Sequence, residues 1–64
     1  MRMNINLINE YKKEAEMAKR EWEEAMRRYD YVDADLIKSA IYEIKSKELR
    51  YMAFVNRLKN EVMR

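Results

Sequence analysis

The chain has 64 residues with 14 basic and 12 acidic side chains, a net charge of +2, and no Gly, Pro, Cys or His. That length bounds it to one small domain. Its composition leaves no disulfide, no thiolate or imidazole metal site, no histidine base for a nucleophile and no glycine loop for phosphate. The charge is zero over residues 1–32 and +2 over residues 33–64, too even to imply a polyanionic partner.

Ala, Glu, Lys, Arg, Met and Leu are plentiful and turn-forming residues are scarce, which is the composition of a helix former. No apolar run approaches the roughly 18 residues of a membrane span, and MRMNINLINEYKK lacks the apolar core of a signal peptide. A cytoplasmic protein with no membrane partner is the expectation.

The first predicted helix runs from about Asn4, a candidate N-cap with Asn6 competing for the role, to about Tyr29, with Met3 and Ile8 at the spacing of a hydrophobic staple. Its apolar seam reads Ile8, Tyr11, Ala15, Ala18, Trp22, Ala25, Tyr29, in alternating steps of three and four. Outside the seam, Glu16, Arg20, Glu24 and Arg28 stand four apart, as do Lys19, Glu23 and Arg27, the spacing of a solvated charge ladder.

A tight loop is predicted near residues 30–33. Asp33 has the chemistry of an N-cap, because its carboxylate can accept from the free N–H groups of the next turn. Asp35 follows in the first turn, at the positive end of the helix dipole. Val32 and Ile37 again have staple spacing, which would fix the angle of entry. Both aspartates read as capping residues rather than catalytic ones. With no Gly or Pro to forbid it, one helix running straight through the turn is the alternative.

The second predicted helix runs from about Ala34 to about Val62. Its seam is Ile37, Ile41, Ile44, Glu48, Tyr51, Val55, Leu58, Val62, widened on one flank by Ala40 and Phe54. Folding about the loop pairs positions whose numbers sum to about 66, so Trp22 would meet Ile44 and Ala15 would meet Tyr51. Trp22, Ile44 and Tyr51 are the expected core anchors. Glu48 interrupts the seam near Lys19, and an ion pair with Lys19 or a register-setting polar role is its structural reading. General acid–base work would need a positioned partner for Glu48, and none is evident.

A second apolar strip on this helix, Tyr42, Leu49 and Ala53 with Met52 between the two faces, is more than a lone hairpin needs. Below ~70–80 residues a chain commonly adds disulfides, a metal or a partner chain. With no Cys or His, a partner chain is the expected route. The fold expected is therefore all-α: an antiparallel two-helix hairpin that dimerises into a four-helix bundle and acts through protein–protein contact. No catalytic residue, cofactor or metal is expected. The alternative is a small nucleic-acid-associated or regulatory adaptor using Lys38, Lys45 and Lys59, which share one flank of the second helix.

The segment REWEEAMRRYDYVDADLIKSAIYEIKSKELRYMAFVNRLKNE, Arg20 to Glu61, resembles the YaaL-like proteins through Trp22, the turn DADLI, the run AIYEI, and Glu48 three residues before Tyr51. These are short bacterial proteins of unknown function. The resemblance implies a small cytoplasmic helical protein and transfers no activity. The family often has proline where this chain has Ala34, which suits a first helical position; Ser39 departs from a position that the family often fills with Tyr.

Overall fold

A computed structural model describes residues 5–63. Helix α1 spans Ile5–Tyr29 and helix α2 spans Ile37–Val62, with a 3-10 turn at Ala34–Leu36 leading into α2. The helices pack antiparallel in a rod with Cα extents of 52 × 14 × 10 Å, one layer thick. The Asn4 cap and Met3 of the Met3–Ile8 staple lie outside the described residues, and Asn6 lies within α1 rather than capping it.

The reversal needs no special backbone. Asp30 N–H donates to Arg27 O, Tyr31 N–H to Arg28 O and Val32 N–H to Tyr29 O, so the last carbonyls of α1 are taken up by tighter 3-10-type turns rather than by a left-handed glycine. Arg27 and Arg28 also sit at the negative end of the α1 dipole. Asp33 is extended at φ −69°, ψ 151°, and there the chain breaks; no continuous helix passes through. Asp33 does occupy an N-cap, that of the 3-10 turn, but its backbone carbonyl rather than its carboxylate accepts from Leu36 N–H at 2.9 Å. The expected carboxylate cap is therefore not formed, and the α-helix proper starts three residues after Ala34. Asp35 lies in the first turn of that segment, Val32 is half-buried, and Ile37 is 38% exposed.

On α1 the seam faces α2. Ala15, Ala18 and Ala25 are buried, while Ile8, Tyr11 and Trp22 are half-buried. Alanines on this face let two helices approach closely enough for large side chains of the other to fill the gap.

On α2 the buried face is turned from the expected one. Ile44, Tyr51 and Leu58 point inward, but so does the row Ala40, Lys47, Phe54, Glu61, of which Glu61 is buried. The expected members Ile41 and Val62 are about half exposed, at 51% and 47%. A lysine joins the seam because its four-carbon stem covers apolar surface while its ammonium reaches the rim. That is what Lys47 does, with Glu21 at 3.9 Å.

The register also differs. Trp22 stacks on Tyr51, not against Ile44, with ring centroids 5.7 Å apart and planes at 24°. Arg28 meets Glu43, and Arg50 meets Glu21. Paired numbers thus sum to 68–73, centred near 71, instead of 66, and Ala15 no longer stands level with Tyr51. The start of α2 overhangs the end of α1, which leaves Leu36, Ile37 and Ile41 partly uncovered. An offset aromatic pair contributes about 0.5–1.5 kcal/mol beyond its buried area, a reason for this register to win over one a heptad away.

Candidate interaction surface

The two long flanks of the hairpin are unlike. On one, Arg28 Nη2 donates to Glu43 Oε1 at 2.6 Å, and Glu21 Oε2 lies 3.6 Å from Arg50 Nη1 and 3.9 Å from Lys47 Nζ. Arg57 lies over the Phe54 ring at 5.3 Å. Among the described residues, every ion pair that crosses between the helices is on this bridged flank.

The opposite flank is open. The rows that border the seam there are Ile5, Lys12, Lys19, Met26 on α1 and Ile41, Glu48, Val55, Val62 on α2, each spaced by seven. Next outward on α2 comes Lys38, Lys45, Met52, Lys59. Ile5, Met26, Ile41, Met52 and Val62 are all 39–65% exposed.

Glu48 belongs to this open flank. It is half-buried, and its Oε1 accepts from Lys45 Nζ at 2.9 Å, one turn back on the same helix. The expected pair with Lys19 is not made, because Lys19 is exposed and the shifted register carries it past Glu48. Within the charge ladder on α1, no ion pair closes along the helix among the described residues, and Arg28 pairs across to Glu43 instead; Lys12, Glu16, Lys19 and Glu23 form no ion pair among the described residues.

The strip Tyr42, Leu49, Met52, Ala53 does not form one patch. All four are exposed. At about 100° per residue, Tyr42 and Leu49 fall on the side of α2 remote from α1, Met52 turns to the open flank, and Ala53 turns to the bridged side. Lys38, Lys45 and Lys59 share one row, in which Met52 intervenes and Lys45 is tied to Glu48. Tyr29, Ile37, Ile41 and Val62 are exposed residues that periodicity alone assigned to the core; the first two lie where the helix ends overhang, and Ile41 and Val62 lie on the open flank. The signal that could have moved them is the competing Ala40–Lys47–Phe54–Glu61 row, with its bulky Phe54.

Among the described residues there is no enclosed pocket, no cluster of three or more potential metal ligands, and no helix long and apolar enough to cross a membrane. One polar atom is left over: Trp22 Nε1 is buried with no acceptor, at a cost of about 1–3 kcal/mol. No protein-family model, curated protein or solved structure matches this chain.

Proposed function

We propose that this chain is a non-enzymatic interaction module, a helical hairpin that associates with a second copy into a four-helix bundle. The supporting observation is the mismatch between what it buries and what it leaves wet. Among the described residues, the buried apolar ones are three alanines and no large side chain is fully buried, whereas thirteen large apolar residues are substantially exposed. Hydrophobic stabilisation scales with area removed from water, at about 25 cal/mol per Å². A small two-helix seam therefore gains much from a partner that covers Ile41, Met52, Val55 and Val62; Tyr42 and Leu49, on the far side of α2, fall outside that face. The proposed kinship with YaaL-like proteins supports the helical fold and adds no activity.

Sedimentation equilibrium from low to high micromolar concentration tests the reading. The expected result is a mass rising towards twice that of the chain. A folded species that stays monomeric across the range overturns it. The nucleic-acid alternative through Lys38, Lys45 and Lys59 predicts instead a salt-sensitive mobility shift with mixed RNA and DNA.

A further inference from the structure

We infer that the open flank is the dimer face and that its charges dictate one arrangement: a two-fold axis perpendicular to the helices, with the two turns at opposite ends. This rests on the self-association just proposed and adds its surface and symmetry.

On α1 the outward stripe of that flank alternates Lys12, Glu16, Lys19, Glu23. None of these four is used in an ion pair among the described residues, and three of them are exposed. Laid antiparallel against itself, the stripe pairs Lys12 with Glu23 of the second copy and Glu16 with Lys19, each pair summing to 35. Sliding one heptad to a sum of 42 would also close four contacts, Lys12 with Asp30 and Lys19 with Glu23, but it would set α2 at a sum of 100, with Glu48 against Met52 and Lys59 against Ile41.

On α2 the corresponding stripe pairs Met52 with Val55 of the second copy and Glu48, whose Oε1 already accepts from Lys45 of its own chain, with Lys59, each summing to 107. One axis can serve both helices only if residues 17–18 of α1 stand level with residues 53–54 of α2. That level is the centre of the intrachain register: Arg28–Glu43 and Glu21–Arg50 both sum to 71, with Glu21–Lys47 at 68 and Trp22–Tyr51 at 73 on either side. Three registers, one of them seen in the hairpin itself, agree.

The competing face-to-face dimer, with both turns at one end, lays α1 on α2 of the second copy at that same level. It sets Lys12 against Lys59 and Glu23 against Glu48, like charge on like, which is unfavourable. The area is also adequate: a face of 52 × 14 Å gives about 700 Å², close to the roughly 800 Å² per partner of a standard interface.

Lys12→Glu tells the two arrangements apart by sign. Here it faces Glu23 and should weaken the dimer roughly three- to tenfold, counting two exposed pairs per dimer, and adding Glu23→Lys should restore it. With the turns together it faces Lys59 and should tighten the dimer. Tightening, or no change, overturns the inference. A spin label at Tyr31→Cys, a position 89% exposed in the turn, provides a second readout. The expected separation is roughly 40 Å from the helical rise, and one under about 20 Å overturns the arrangement. A wild type that is monomeric removes the self-association itself, an outcome distinct from a dimer with the wrong geometry.

Discussion

The bridged and open flanks are built on the same two helices, yet they hold the molecule in different ways. On the bridged side, arginine and glutamate reach across the seam and satisfy each other within one chain. On the open side, lysine and glutamate stay on their own helix, and methionine, isoleucine and valine face water. Surface ion pairs contribute little each, about 0–1 kcal/mol, so the bridged flank is best understood as setting register. Apolar cover is worth more, and the open flank is where it is missing.

Substitutions can break that comparison or sharpen it. The largest effect should come from beneath both flanks. Trp22→Ala removes the stack on Tyr51 and, for a half-buried aromatic, should cost about 2–3 kcal/mol, at or below the usual range for Trp→Ala; circular dichroism melts should show the hairpin largely unfolded at low concentration. Next, Met52→Lys places a charge in the open flank and should lower association at least roughly tenfold, as expected from losing about 1.5 kcal/mol or more of burial. Helicity of the monomer should be unchanged, and sedimentation reads the difference. Leu49→Lys, on the far side of α2, should leave association within about 0.5 kcal/mol; an effect as large as that of Met52→Lys would move the interface to the back of the helix.

On the bridged flank, a double-mutant cycle of Arg28→Ala and Glu43→Ala should give a coupling under about 1 kcal/mol, since both side chains are around half exposed or more. The smallest effect belongs to Asp33→Ala. With no carboxylate cap to lose, it should cost only a few tenths of a kcal/mol by thermal melting, instead of the typical ~1 for a working N-cap.

The all-helical hairpin was legible because alternating steps of three and four need little context. On α1, small residues and aromatics occupy one row pair without a rival, and the seam lies where periodicity put it as far as Ala25, with Tyr29 exposed at the helix end. On α2, two rows flank the shared Ile44–Tyr51–Leu58 line: Ile41, Glu48, Val55, Val62 on one side and Ala40, Lys47, Phe54, Glu61 on the other. Hydropathy favours the first. Packing against three alanines takes the second, where Phe54 brings volume and Lys47 an aliphatic stem. Register was not legible, since a seven-residue repeat looks the same after sliding one heptad, and only pairs such as Trp22–Tyr51 and Arg28–Glu43 break the degeneracy. The open flank was invisible for a related reason: only a fixed register shows which charges are already spent within the chain.

The reversal at residues 30–33 carries a further consequence. No described residue has a positive φ, so no position there demands glycine, and steric hindrance vetoes few replacements. Lengthening a flexible connection costs only about 0.6 kcal/mol per doubling. The connecting letters are thus free to drift or to receive a grafted peptide, while the paired helices keep their alignment through the contacts along their sides.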